Sequence, residues 1–311
     1  MKAKLSQSLV KQITVLLKVL IIAIILIMLY FKLIDQQDLL QEMKALFIKG
    51  FTENRWLLLL VILLMPVNWF IEGLKWKIIA GKIVHLSQWQ AFKGILSGLT
   101  IGFATPHGIG DYLGRIMTIK HRQRFFLIGG IMLGRLSQLG VTLLFGMVGV
   151  FYLFGLKTVV YCSIAVLVTS ILLAVLFNRV KHIKSVGRFF RMVDDYSVGE
   201  VCKIILLSAC RYFVFSLQFL IVLFVFLPKF DLCLNVAGVT WVFLAKSILP
   251  SFNFLSDLGI REYSAIYFFE NYQIEILPVL CASLFIWMVN ILMPTLLGIP
   301  FVFQLNSKVE P

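Results

Sequence analysis

The chain has 311 residues, of which 60% are hydrophobic and 14% are charged, and its formal net charge is +14. This apolar content exceeds that of a soluble core, and several apolar runs approach the twenty residues that cross a bilayer. A nucleic-acid partner is excluded, because it would require a basic soluble domain. We therefore predict an all-α polytopic membrane protein with one membrane domain over residues 1–311.

Six apolar segments are predicted to cross the membrane completely. The first follows three lysines, but it contains Lys18 and has no small-residue cleavage site, so we interpret it as a retained helix and not as a signal peptide. In chain order the six segments are Ile13–Phe31, Trp56–Leu74, Phe125–Phe154, Thr158–Phe177, Lys203–Leu227 and Ile276–Phe303.

Two apolar segments remain, and both are predicted to enter the membrane and return. As a helix, Gly94–Thr105 would span only about 18 Å of a core about 30 Å thick. Leu232–Leu249 is longer, but no apolar run before Glu275 is long enough to cross back. Each segment runs into a proline and then into glycines. The predicted turn residues are Pro106, Gly108, Gly110, Pro250 and Gly259.

Lysine and arginine accumulate near the N-terminus and in alternate connections, whereas the cations of residues 32–55 are balanced by acidic residues. Because basic residues favour the cytoplasmic side, both termini are expected to be cytoplasmic in a multi-pass protein of the bacterial inner membrane. The segments then form two halves of opposite orientation, approximately residues 9–155 and 156–304. An inverted-topology repeat of this kind has its substrate site near the midplane, where the re-entrant hairpins meet.

Each re-entrant segment is followed by a carboxylate and an arginine, and two crossings carry a further arginine. Guanidinium groups stay charged at any depth and match phosphate oxygens, so these residues indicate a phosphate-binding site. The carboxylates would hold the arginines between substrates or accept an amine of the headgroup. The predicted substrate-binding residues are Arg115, Asp111, Arg261, Glu262, Arg135 and Arg211.

Four of these residues also have a structural interpretation. Arg115 begins a basic run and could be a topology anchor, while Asp111 could cap the helix that carries it. Arg135 and Arg211 could form fixed ion pairs between helices. The candidate partners are Glu72 for Arg135, and Asp257 or Glu262 for Arg211. Lys246, near the end of a re-entrant segment, could reach the interface.

Two further features concern the membrane surface. Trp56, Trp69, Trp76 and Trp89 lie near predicted interfaces, where tryptophan typically anchors a protein. Residues 180–196 are interpreted either as an amphipathic helix on the inner surface or as an ordinary loop.

Several short patterns occur in the order of a known family. They are Asn68-Trp69 with Lys75-Trp76, Ser97, the run from Thr105-Pro106 through Gly108, Gly110 and Asp111 to Arg115, and Leu249-Pro250 with Gly259-Ile260-Arg261-Glu262. Together they resemble the flippase-like membrane domain of the lysylphosphatidylglycerol synthetases. The resemblance implies translocation of an aminoacylated phospholipid.

The chain also departs from that family. The sequence ends soon after Phe303 without the soluble aminoacyl-transferase domain, so a stand-alone member is expected. The turn before the second Arg-Glu pair reads Ser256-Asp257-Leu258-Gly259 instead of being rich in glycine. The acidic residue beside the third-helix arginine is absent, since Gly134 precedes Arg135 and Gln138 follows it.

No catalytic motif is present: the sequence has no Walker loop, no GxSxG and no paired zinc histidines, and its five cysteines are scattered. We expect no enzyme activity, cofactor or metal. The expected function is a flippase for a phosphate-containing lipid, with phospholipids and polyprenyl phosphates as candidates and aminoacylated or glycosylated headgroups included. The alternatives are an accessory subunit that serves a separate lipid-modifying transferase, and a membrane-embedded polyprenyl-phosphate enzyme.

Overall fold

A computed structural model describes residues 37–105, 108–183, 187–249 and 254–305. The first predicted crossing, Ile13–Phe31, and the prolines at 106 and 250 lie outside the described residues. Within these ranges every regular element is a helix. Contacts divide the chain into residues 1–49 and 50–311. Helix α1 (Gln37–Glu53) was predicted as a connection and begins with an acidic first turn at Asp38.

In the part of the chain that the structure describes, four helical segments are long and apolar enough to cross a membrane. They are α2 (Arg55–Ala80), α5 (Leu127–Val180) with the 3-10 turn before it, α7 (Val198–Phe226), and the continuous pair α10 (Ile276–Trp287) and α11 (Met293–Val302). A π-helical turn joins α10 to α11. The chain therefore has the architecture of a multi-pass membrane protein.

Helix α5 is interrupted at Gly155, which has φ 77° and ψ 178°. A straight helix of 54 residues would be about 80 Å long, more than twice the thickness of a bilayer core. Only glycine adopts this backbone conformation without strain. Helix α6 (Gly187–Asp194) contacts the 3-10 turn Arg124–Phe126 that precedes α5. The short connection between Val180 and α6 cannot span the roughly 80 Å of a straight helix. The two arms of α5, before and after Gly155, therefore run in opposite directions.

The start of α7 is fixed beside the end of α2. The Tyr196 hydroxyl donates to the Ile79 carbonyl at 2.8 Å, and Lys82 pairs with Glu200 at 2.8 Å. Burial raises the pKa of Tyr196, so its hydroxyl remains a donor. Helices α2 and α7 pack together and must be antiparallel, because the end of one lies at the beginning of the other.

Two shorter helical pairs fill the space between the long helices. The first hairpin consists of α3 (Gln88–Ala104) and α4 (Ile109–Met117), and the second consists of α8 (Leu232–Ile248) and α9 (Phe254–Glu270). Within each hairpin the two helices are in contact. Gly108 precedes α4 with φ 64°, which is the left-handed conformation that a tight turn requires.

Small residues let the arms of the first hairpin approach closely. A Cβ atom on Gly114 would lie 2.5 Å from the Cα atom of Gly98, so the two backbones touch at these glycines. In the second hairpin the corresponding small residue is Gly238, which faces the rings of Phe268 and Phe269.

The two hairpins open toward opposite ends of the long helices. The first begins at Gln88, shortly after the Lys82–Glu200 ion pair that joins the end of α2 to the start of α7. The second ends near Tyr272, whose hydroxyl donates to the Tyr152 carbonyl at 2.6 Å beside the break in α5. The helices of the two hairpins therefore extend from opposite ends toward the middle of the long helices.

Several sequence predictions are corrected here. Gly259 lies inside α9 and not in a turn, and Gly110 lies inside α4. Trp69 and Trp76 are buried among helices, so surface anchoring does not explain them, whereas Trp56 and Trp89 are exposed. The segment 180–196 contains helix α6, which decides against an ordinary loop.

Candidate anion-binding site

A cavity of about 420 Å³ lies among the long helices and both hairpins. Its walls include Trp69 of α2, Thr142 of α5 and Tyr212 of α7, each near the middle of its helix or, for α5, of its first arm. Aromatic side chains such as Phe215 and Phe243 complete the apolar part of the wall. The cavity is thus halfway along the helices that are long enough to cross a membrane.

Five of the described lining residues are cations, and none is aspartate or glutamate. The first hairpin supplies one cation, the second supplies two, and α5 and α7 supply one each. They are Arg115, Lys246, Arg261, Arg135 and Arg211.

Arg115 is held by two carboxylates. Its Nε atom lies 2.8 Å from Asp111 Oδ1, one helical turn earlier in α4, and its NH1 atom lies 2.8 Å from Glu72 Oε1 in α2. The four-residue spacing within α4 places Asp111 and Arg115 on the same face. All three side chains are buried. Arg115 is therefore a fixed link between the first hairpin and α2, and it is also part of the cavity wall.

Glu72 binds three cations. Besides Arg115, its Oε2 atom lies 2.8 Å from Lys75 Nζ and 2.7 Å from Arg211 NH1. The carboxylate thus links α2, the first hairpin and α7. A buried carboxylate with three cationic partners is fully compensated, and one of those partners, Arg115, also pairs with Asp111.

Arg211 is oriented by polar and aromatic groups. Its Nε atom donates to Asn68 Oδ1 at 2.9 Å, and NH1 also donates to Gln138 Oε1 at 3.3 Å. The guanidinium carbon lies 4.4 Å from the centre of the Trp69 ring, a cation–π arrangement. Because these contacts fix the plane of the guanidinium, Arg211 presents a defined edge to the cavity.

Arg135 is the most accessible of these arginines. Its NH2 group pairs with Asp111 Oδ2, and its side chain is 47% exposed. Asp111 therefore joins Arg115 and Arg135, and it holds α4 against α5. The exposed remainder of the Arg135 side chain can contact a ligand without breaking the helix packing.

Arg261 belongs to the second hairpin and is only 2% exposed. Its NH2 atom lies 3.2 Å from Glu262 Oε1, and the same oxygen accepts a hydrogen bond from Ser283 at 2.9 Å. Glu262 is more accessible, at 20% of its side chain. The second hairpin thus brings a buried guanidinium to the cavity, beside a carboxylate that is partly exposed.

Among the described residues, five cations pair with three carboxylates: the four arginines of the wall and Lys75 contact Glu72, Asp111 and Glu262. Buried charge is costly at membrane depth unless a counter-charge or a ligand compensates it. The arrangement can therefore bind an anion, and its guanidinium groups match phosphate.

The predicted site residues divide into two groups. Arg115, Arg135, Arg211 and Arg261 line the same cavity, whereas Asp111 and Glu262 are absent from the described lining and bind the arginines instead. The acidic residues thus hold the arginines in place and are not in the cavity wall.

Three predicted interactions are wrong. Arg135 pairs with Asp111 instead of Glu72, and Arg211 pairs with Glu72 instead of Glu262. The side chain of the other candidate, Asp257, lies outside the described residues. Asp111 does not cap α4, because Gly108 occupies the N-cap position and the side chain of Asp111 is used in ion pairs.

The sequence analysis does not identify the central role of Glu72 or the burial of Lys75. The signal was available, since Glu72 and Lys75 are three residues apart on one helix face. Lys246, which had been read mainly as an interfacial residue, lines the cavity.

The chain matches no protein-family model, no curated protein and no solved structure. Its class is therefore defined by its own features. It is a multi-pass helical membrane protein with an internal cavity whose described lining is rich in cations.

Proposed function

We propose that the protein is a flippase-type lipid transporter, which carries a phosphate-bearing headgroup across the bacterial inner membrane through the cation-lined cavity. The observation that carries the proposal is the composition of the wall: five cations and, among the described residues, no carboxylate. The proposed relationship to the flippase-like domain of lysylphosphatidylglycerol synthetases agrees with this function.

Moving a headgroup requires compensation of its charge. A bare phosphate in the hydrocarbon core costs at least several kcal/mol, because its oxygens lose their hydrogen bonds to water. Guanidinium donors from both hairpins, Arg115 and Arg261, replace that hydration halfway along the helices. The acyl tails need no such replacement and remain in the lipid.

We propose further that the fold is an inverted repeat of six crossings and two re-entrant hairpins, with the halves meeting near Gly155. The helix contacts support this, because they occur in matched pairs. Helix α3 packs on α11 and on α2, and its counterpart α8 packs on α5 and on α7. Likewise α4 contacts α5, and its counterpart α9 contacts α10.

The opposite openings of the hairpins are the second support for this repeat. In a bilayer such hairpins enter from different faces and place both tips near the midplane, as alternating access requires. The basic residues favour cytoplasmic termini. Rocking of one half against the other would then expose the cavity to each leaflet in turn.

Reconstitution of the purified protein tests the function. Liposomes would contain fluorescently labelled phosphatidylglycerol. A membrane-impermeant quencher added outside would measure how fast the labelled lipid leaves the inner leaflet. We expect rapid exposure with the wild-type protein and at least a tenfold slower rate for Arg261→Gln, since about 1.4 kcal/mol corresponds to tenfold. The control Arg122→Gln removes an exposed arginine and should leave the rate unchanged.

The alternatives give different results in the same liposomes. Release of inorganic phosphate or chemical change of the lipid would indicate an enzyme. A rate equal to that of empty liposomes for every phosphate lipid tested would contradict the transport function and favour an accessory role.

A further inference from the structure

The acceptors that hold Arg211 lie on two sides of its guanidinium group. Asn68 accepts from Nε at 2.9 Å and Glu72 accepts from NH1 at 2.7 Å, and both side chains are buried in α2 and absent from the described cavity lining. Gln138 of α5 accepts from NH1 at 3.3 Å, and it lines the cavity. Among the described residues, Gln138 is therefore the acceptor that binds Arg211 from the cavity side.

These hydrogen bonds occupy donors that a bidentate ligand needs. A guanidinium group has five N–H donors, and it binds phosphate most strongly through two neighbouring nitrogens. In Arg211, Nε donates to Asn68, and NH1 donates to both Glu72 and Gln138. Within the described part of the chain no acceptor is found for NH2. In this state Arg211 can offer a phosphate one nitrogen, but not two.

Gln138 is the acceptor that a ligand can replace most easily. Its bond to NH1 is the longest of the three and its oxygen is neutral, whereas the bond to Glu72 is charge-assisted and roughly twice as strong. The Gln138 side chain is only partly buried, so it can turn away without opening the helix packing. NH1 and NH2 would then form a fork toward the cavity, and a phosphate would provide charged oxygens where Gln138 provides an amide.

We infer that Gln138 is a displaceable acceptor, which occupies the position on Arg211 that a phosphate oxygen takes when the ligand binds. The chemistry recognised is a phosphate group with two oxygens free to accept from NH1 and NH2. The inference rests on the proposed function for the assumption that this phosphate belongs to a lipid. Because Gln138 belongs to α5 and Arg211 to α7, the exchange also releases a polar contact between these two helices.

Two substitutions of Gln138 should change the affinity for phosphate in opposite directions. Gln138→Met retains the approximate size of the side chain and removes the acceptor, so the phosphate no longer competes with it and should bind at least about threefold more tightly. Gln138→Glu introduces a carboxylate that pairs with Arg211 and repels phosphate, so binding should weaken at least about tenfold. If Gln138 itself contacted the ligand, or only supported the fold, Gln138→Met would not tighten binding.

Equilibrium binding to the full chain, purified in a neutral detergent, measures both effects. The probe is phosphatidic acid, whose headgroup is phosphate alone, and its retention is measured by native mass spectrometry. The controls Gln123→Met and Gln123→Glu make the same changes at an exposed glutamine outside the described lining, and they should leave the affinity unchanged. Gln138→Leu, which also lacks the acceptor, replaces Gln138→Met if that variant does not fold. Unchanged or weaker binding after removal of the acceptor would overturn the inference.

Calorimetric titration with inorganic phosphate separates a lipid headgroup from a free anion. Lipid binding in the expected order, with Gln138→Met above the wild type and Gln138→Glu below it, supports the inference and assigns the phosphate to a lipid. The same order for inorganic phosphate, without retention of phosphatidic acid, would support the exchange at Arg211 but contradict lipid transport. Lipid binding that neither substitution changes would leave transport standing and overturn the inference. If neither probe binds, the inference is wrong.

Discussion

The two hairpins each bring a buried arginine to the same cavity, but they hold it differently. In the first, Arg115 makes 2.8 Å ion pairs with Asp111 of its own helix and with Glu72 of α2. In the second, Arg261 pairs at 3.2 Å with its neighbour Glu262, whose oxygen also accepts a hydrogen bond from Ser283. The first arginine thus pairs with a carboxylate of another long helix, whereas the described ion pair of the second is with the adjacent residue of its own helix.

The packing of the two hairpins differs in the same sense. The first has arms of 17 and 9 residues whose backbones touch at Gly98 and Gly114. The second has two arms of 17 residues, and its Gly238 faces the side chains of Phe268 and Phe269 instead of a backbone. Because backbone contacts adjust less easily than side-chain contacts, we expect the first hairpin to be the more rigid of the two.

The largest difference is expected for the two carboxylates. Asp111→Asn should lower the free energy of unfolding by about 3–5 kcal/mol, because it leaves buried Arg115 and partly buried Arg135 without their shared counter-charge. Glu262→Gln should cost less, about 1–2 kcal/mol, because that carboxylate is 20% exposed and solvent screens its pair with buried Arg261. Thermal unfolding of both variants in one detergent measures the difference. Equal losses would show that the two hairpins are held alike.

A smaller loss is expected when the glycine contact of the first hairpin is filled. In Gly114→Ala the new methyl group would meet the backbone of Gly98 at 2.5 Å, so we expect destabilisation by at least about 2 kcal/mol. The control is Gly140→Ala, in a helix with no heavy atom within 4 Å of the added methyl group. The control should gain up to about 1 kcal/mol from helix propensity, and the comparison fails if both variants unfold at the wild-type temperature.

The smallest loss is expected in the second hairpin. The added methyl group in Gly238→Ala would meet Phe269 Cζ at 2.5 Å, a side-chain atom that moves when the Phe269 side chain tilts, whereas Gly114→Ala would meet backbone atoms. We expect a cost of about 1 kcal/mol, measured by chemical denaturation alongside Gly259→Ala, which has open space around it. If Gly238→Ala costs as much as Gly114→Ala, the proposed contrast in rigidity is wrong.

The long helices could be predicted because apolar length alone limits what a bilayer accepts. Hydropathy placed the crossings near α2, α7 and the α10–α11 pair to within a few residues at most ends. The arginines that line the cavity could also be found, since a charge inside an apolar segment needs a reason. These inferences use only local sequence.

The partners of those arginines could not be predicted, because they depend on which helices meet. Glu72 and Arg211 are far apart in the chain and come together only through the packing of α2 on α7. Trp69 illustrates a second difficulty. Its neighbours in sequence fit equally well a tryptophan at the membrane interface and a tryptophan stacked against a guanidinium. Only the packing of α2 against α7 shows that Trp69 stacks against Arg211.

The central claim is that a phosphate headgroup is compensated by cations of both hairpins in the middle of the membrane. A cryo-electron microscopy structure of the protein in nanodiscs that contain phosphatidic acid tests this claim most directly. The account predicts phosphate density in the cavity within hydrogen-bonding distance of Arg261 and of at least one of Arg115, Arg135 and Arg211. Phosphate density confined to the periphery, with the arginine cluster unchanged and no anion beside it, would contradict the account.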